Sequence, residues 1–125
     1  MRSVFSGNTG IGLSVGNDCT VESCIASDNG SFGLLLQNRG IVSSCVCNTN
    51  GASGVHSFDD NLILDSLLCD NAQNGVKVQD RSTVRGNTVT RNGLSGSSSG
   101  ILCTNSRNRI EGNTMAGNAV GLAGG

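Results

Sequence analysis

The densest run of reactive side chains in the chain is His56-Ser57-Phe58-Asp59-Asp60, and His56 is its only histidine. Two carboxylates held close together can split their acidities and work as acid and nucleophile on a glycosidic bond. Asp80 follows Asp59 by 21 residues, with Lys77 and Arg81 near it as candidate bases. Six cysteines, Cys19, Cys24, Cys45, Cys47, Cys69 and Cys103, form the second chemical set. The spacing Cys45-x-Cys47 has neither the two-residue gap nor the partners of a zinc site, so no metal and no other cofactor is expected. Whether Asp59 and Asp80 meet depends on the elements that carry them.

Those elements come from a repeat. The chain has 125 residues, 19 of them Gly, with three Phe and no Trp, Tyr or Pro. Such a composition ordinarily marks a flexible linker, but a hidden period overrules that. Stepping by 21 from Gly12 gives Gly33, Gly54 and Gly75, and after an insertion the series resumes at Gly100 and Gly121. An aliphatic residue follows each: Leu13, Leu34, Val55, Val76, Ile101, Leu122. A second column reads Val21, Val42, Ile63, Val84, with Ile110 displaced by one, and a third reads Ala26, Cys47, Leu68, Val89, Met115. An Asn precedes each glycine: Asn8, Asn29, Asn50, Asn71, Asn92, Asn118. Self-similarity of this kind signals a solenoid.

Each unit holds three short apolar pieces with the alternation of strands, none long enough for a helix. Gly and Asn fill the joints, where positive φ is often needed. The expected fold is all-β: a single-stranded right-handed parallel β-helix of about five coils, 21 residues and three short strands per coil, stacked at about 4.8 Å. A leucine-rich solenoid, the competing architecture near this period, needs a Leu-rich consensus that the columns lack. The expected organisation is one domain over 1–125, a segment of a longer rod, with a loop bulging at 93–99. The net charge of −1 leaves no basic footprint for nucleic acid. No apolar run approaches the roughly 18 residues of a membrane span, and Met1 to Phe5 leads straight into Ser6-Gly7-Asn8 with no secretory apolar core.

The columns resemble the parallel β-helix repeat proteins of the pectate-lyase-like superfamily, including the periplasmic NosD-type proteins. The segments that carry the resemblance are Gly75-Val76-Lys77-Val78 with Val84-Arg85-Gly86-Asn87-Thr88-Val89, and Gly100-Ile101 with Ile110-Glu111-Gly112-Asn113-Thr114-Met115. The resemblance covers about residues 3–123. It implies an extracellular or cell-surface setting and a polysaccharide partner. It does not choose an activity, because lyases, hydrolases, epimerases and adhesins share this architecture. It also implies a stacked amide ladder at one turn, where Asn87 and Asn113 fit and Cys24 and Cys45 depart.

In a solenoid, residues one period apart become neighbours on adjacent coils, so columns are expected contacts. Asp18, Arg39, Asp60 and Arg81 should form a charge-alternating ladder. Asp59 and Asp80 should be neighbours on adjacent coils. His56 should point outward between Leu35 and Lys77. The Asn before each glycine should be structural, taking the left-handed backbone and bonding its own turn. Cys24 and Cys45 are the only cysteines placed one rung apart, at a spacing within disulfide range.

The reading that follows is a non-catalytic β-solenoid scaffold or binding module for carbohydrate or cell-surface partners. Phe32 and Phe58 are the only turn aromatics available to sugar rings. The alternative is a polysaccharide lyase, glycoside hydrolase or epimerase, or a fragment of one, using Asp59 and Asp80, with Asp60 and His56 as weaker candidates. The Asp-Asp pair is similar to that of β-helical polygalacturonases. Their Gly-His-Gly and Arg-x-Lys signatures are missing, and the Asp-Pro-His motif of alginate epimerases requires a proline the chain lacks. Covering of open coil ends by a homo-oligomer or by end-to-end assembly is a third expectation.

Overall fold

The structure is a computed structural model that describes residues 2–94, 96 and 98–124. Its seventeen strands fall into three parallel sheets, two of six strands and one of five, and no helix occurs among the described residues. The chain therefore winds a little beyond five full coils. The first sheet runs through Phe5, Ala26, Cys47, Leu68, Val89 and Met115. The second contains Leu13, Leu34, Val55, Val76, Ile101 and Leu122, and the third Val21, Val42, Ile63, Val84 and Ile110. Each of the three aliphatic columns read from the sequence is a ladder of directly paired residues. Partners are 21 apart up to Leu68↔Val89, then 25 apart at Val76↔Ile101 and 26 at Val84↔Ile110. One further residue is thus added between Cys103 and Arg109. Of the segment 93–99, residues 95 and 97 lie outside the described residues, and Ser99 already opens the strand Ser99–Cys103.

The core takes one inward column each from the first and third sheets and two from the second. Val42, Val55, Ile63, Leu68, Val76, Val84 and Val89 are all fully buried. Each three-residue strand turns its middle residue, or in the second sheet its two outer residues, inward. A single coil could not bury these side chains; stacking supplies the neighbours above and below.

Corners are made by single residues with positive φ. The first corner column is Asp18, Arg39, Asp60, Arg81 and Arg107; the second contains Ser23, Ser44, Asp65, Gly86 and Gly112; the third contains Gly7, Asp28, Thr49, Asp70, Arg91 and Gly117. The residue after each corner carries a ladder. At the third corner Asn8, Asn29, Asn50, Asn71 and Asn92 each donate Nδ2 to the Oδ1 of the next Asn at 2.9–3.0 Å, and the ladder ends on Asn118, which accepts from Asn92. This corrects the expectation for these Asn: the preceding residue takes the left-handed turn, and the Asn side chains bond adjacent coils, with Asn92 Nδ2 also donating to Thr90 O of its own turn at 3.2 Å. Asn71 is fully buried, and its Nδ2 also donates to Cys47 O at 3.0 Å.

The repeat glycines have a different reason from the positive φ expected of them. Gly33 and Gly54 have no positive φ. A Cβ on Gly33 would lie 2.7 Å from both Asn50 Nδ2 and Gly54 O. The glycine column is the space into which the amide ladder and the next coil's carbonyl close.

Candidate functional site

The outer face of the second sheet carries Leu35, His56 and Lys77 on successive rungs. His56 is flanked by aromatic rings on two sides. Phe32, in the turn before the strand Leu34–Leu36, has its ring centre 4.5 Å from the imidazole at a 53° tilt. Phe58, just after the strand Val55–Ser57, lies at 5.4 Å and 60°. The three rings are half-buried and form a diagonal band across two coils. Burial lowers the His56 pKa, and the nearby Lys77 ammonium lowers it further, so the ring is neutral at pH 7. Its Nδ1 is buried with no hydrogen-bond partner. The outward placement between Leu35 and Lys77 was legible in the column; the ring band was not, because Phe32 comes from the preceding coil.

The carboxylates gather at the adjoining first corner. Arg81 donates Nε to Asp60 Oδ1 at 2.7 Å and Nη2 to Asp60 Oδ2 at 2.9 Å, and its Nη1 reaches Asp80 Oδ2 at 2.9 Å. Its Nη2 also lies 3.6 Å from Asp59 Oδ2. Asp80 is only 8% exposed. Its Oδ1 accepts the Arg81 backbone N–H at 3.0 Å, and Arg107 Nη2 donates to its Oδ2 at 2.6 Å. Asp59 accepts no hydrogen bond at its buried Oδ1, while its backbone N–H donates to Asn38 Oδ1 at 3.0 Å. The Arg81 hydrogen bond holds Asp60 below the usual carboxylate range, and those carboxylates raise the Arg81 pKa in return. Lower in the column, Arg39 grips Asp18 in the same two-pronged way at 2.7 and 2.9 Å.

Asp59, Asp60, Asp80 and Arg81 thus meet at one corner, as the columns require, with guanidinium groups set among the acids. The sequence reading missed Arg107. The added residue before Arg109 shifts it into the corner column, and the one-residue displacement of Ile110 was the available signal.

Asn87 Nδ2 donates to Asn113 Oδ1 at 3.0 Å, so the second-corner ladder stands as expected, and Ser66 and Cys45 extend it downward through Cys45 N–H to Ser66 Oγ at 3.0 Å. A further ladder, Gly40–Asn61–Ser82–Asn108 at the first corner, was not anticipated. All six cysteines are free thiols. Among the described residues no group of three or more His, Cys, Asp or Glu is placed to hold a metal ion. A surface groove of about 470 Å³ runs past Asp28, Thr49, Asp70 and Leu94 at the third corner; neither His56 nor the Asp59–Asp80 cluster lines it.

A parallel β-solenoid with an aromatic band on one sheet face and an ion-paired corner beside it defines the class. The chain belongs to the family described as right handed beta helix region, whose model matches residues 2–120. The A-module of Azotobacter vinelandii mannuronan C-5 epimerase AlgE4 superposes with a TM-score of 0.79 at 21% identity, over 95% of this chain. The AlgE6 A-module of the same organism gives 0.60 at 16% identity over 100% of this chain. The chain spans 41% and 56% of those two structures. No curated protein sequence matches it. At these identities the likeness shows the fold.

Proposed function

We propose that this chain is a carbohydrate-binding β-helix module whose contact surface is the outer face of the second sheet. The observation that carries the reading is the band Phe32–His56–Phe58. Half-buried rings along a rigid sheet offer the apolar surface they leave open to sugar rings. A neutral imidazole and the Lys77 ammonium beside it supply the few polar groups that orient a ligand. Likeness to two epimerase modules that act on a polysaccharide supports the same class of partner. The charged corner acts as scaffold in this reading, because Asp60 and Asp80 already hold guanidinium partners at hydrogen-bond distance. The enzymatic alternative requires Asp59 and Asp80 to be freed from Arg81 and Arg107 before either could attack or protonate a sugar.

Calorimetric titration with mannuronan and with a neutral glucan tests the proposal, alongside product analysis. Binding by wild type that weakens about tenfold in Phe58→Ala, with no product formed, supports it. Failure to bind any polysaccharide overturns it. Product that forms with wild type and vanishes with Asp59→Asn replaces it with the enzymatic reading.

A further inference from the structure

The second-corner ladder changes chemistry along the rod. In its upper part, Asn87 and Asn113 are tied rung to rung by side-chain amides. In its lower part the same positions are Cys24 and Cys45. The residues that follow them, Ile25 and Val46, are paired in register, and Val46 N–H donates to Cys24 O at 2.9 Å. Strands so paired stand about 4.8 Å apart, inside the roughly 4.4–6.8 Å that a disulfide requires between Cα atoms. Both thiols also have the same orientation. Cys24 Sγ donates to Glu22 O and Cys45 Sγ to Ser43 O, each at 3.3 Å. These weak S–H bonds, with Cys45 Sγ also 3.6 Å from Val21 O, hold the two sulfurs parallel, and a bond between them requires the side chains to rotate toward each other.

Access differs between the two. Cys24 is half-buried and lines an open groove of about 350 Å³ together with Arg2 and Ser23. Cys45 is 1% exposed, and burial pushes its thiol pKa up. An external reagent therefore meets Cys24 first. No other cysteine faces a cysteine on the next rung. Cys47 lies between Ala26 and Leu68, Cys69 between Asn48 and Thr90, and Cys103 beside Val78.

We propose that Cys24 and Cys45 form an axial disulfide on exposure to a small-molecule disulfide, stapling two coils where the amide ladder has no rungs. This site is independent of the carbohydrate reading. The Cys24 thiolate attacks one sulfur of the reagent RSSR and expels RS⁻, leaving Cys24–S–SR. Cys45 gives its proton to that thiolate and attacks the Cys24 sulfur. This forms the protein S–S bond and expels the second RS⁻, which takes up the proton Cys24 had lost. Two S–H groups become one S–S, and RSSR is reduced to two RSH.

The native protein is incubated with glutathione disulfide, then analysed by intact mass and by non-reducing tryptic mapping. The expected result is a loss of about 2 Da with peptides 3–39 and 40–77 linked, reversed by dithiothreitol. The link disappears in Cys24→Ser and in Cys45→Ser and persists in Cys19→Ser. The oxidised wild type melts higher, by about 5–10 °C. A stable glutathione adduct on Cys24 that never proceeds to the internal bond overturns the proposal. So does a link that survives in Cys45→Ser. Fragmentation of the wild-type linked pair, which tells Cys24 from Cys19 and Cys45 from Cys47 and Cys69, decides even if a variant folds poorly.

Discussion

Arg81 and Asp60, 21 residues apart in sequence, are joined by two parallel hydrogen bonds of 2.7 and 2.9 Å, with Arg81 on the coil directly above. The same guanidinium reaches Asp80 and approaches Asp59, so one side chain organises three carboxylates. Its own backbone sits at positive φ, as does that of Asp60. A left-handed corner in a charged residue is costly in isolation, and here the corner residues of successive coils brace one another.

Arg81→Ala should therefore lower the melting temperature by several degrees and make Asp80 the weak point, with Arg107 its one remaining guanidinium partner beside the backbone N–H of residue 81. The pH dependence should change as well. Pairing with Arg81 depresses the folded pKa of Asp60. The stabilisation is present above the unfolded value near pH 4 and is lost as pH falls through the folded value. Thermal melts between pH 2 and 5 should show a steeper acid loss in wild type than in Arg81→Ala. Parallel curves would remove the pair from the account.

Asn71→Ala tests the third-corner ladder at its centre. Asn71 Oδ1 accepts from Asn50 N and Nδ2, at 3.1 and 3.0 Å, and its Nδ2 serves Asn92 Oδ1 and Cys47 O. Removal strands several buried groups at once and should cost about 3–4 kcal/mol in urea denaturation. Asn118→Ala, at the half-buried upper end, should cost clearly less. Equal losses would mean that the ladder adds nothing beyond local turn structure.

His56 should impose a pH dependence of opposite chemistry and the same direction. Its folded pKa is depressed by burial and by Lys77. Protonation therefore favours the unfolded chain, and stability falls as pH drops below about 6.5, the unfolded value. His56→Gln should flatten the melting temperature between pH 7 and 5 without altering the Arg81-dependent loss below pH 4. A wild-type curve already flat over pH 5–7 would show that the imidazole is not desolvated by Phe32 and Phe58.

The sequence showed most of the fold because a solenoid turns spacing into contact. Val42, Ile63 and Val84 are paired as their 21-residue period requires. The pairing of Asp59, Asp60, Asp80 and Arg81 at one corner was legible for the same reason. Two kinds of information were not. Lateral neighbours, such as Phe32 beside His56, depend on where each coil bends, and a period says nothing of that. The cause of a recurring residue was also hidden. Asn and Gly both tolerate positive φ, so both columns invited that explanation, whereas Asp28, Thr49, Asp70 and Arg91 take the turn at that corner.

The glycine column supplies the sharpest test of that correction. If Gly54 served only to permit a backbone angle, alanine would be tolerated, since its φ is not positive. The close approach says otherwise: a Cβ there would lie 2.8 Å from Asn71 Nδ2 and 2.8 Å from Gly75 O. One of these neighbours is backbone of the next coil, so relief requires the coils to separate. Gly54→Ala should therefore cost about 2–4 kcal/mol in urea denaturation. Gly121→Ala, in the same column but with nothing within 4 Å, should stay within about 0.5 kcal/mol of wild type. The two contacts can also be separated. Combining Gly54→Ala with Asn71→Ala removes the amide clash and leaves the carbonyl clash, so the double variant should lose less than the sum of the single losses. Strict additivity would place the whole cost of Gly54→Ala at the Gly75 carbonyl and detach the glycine column from the Asn ladder.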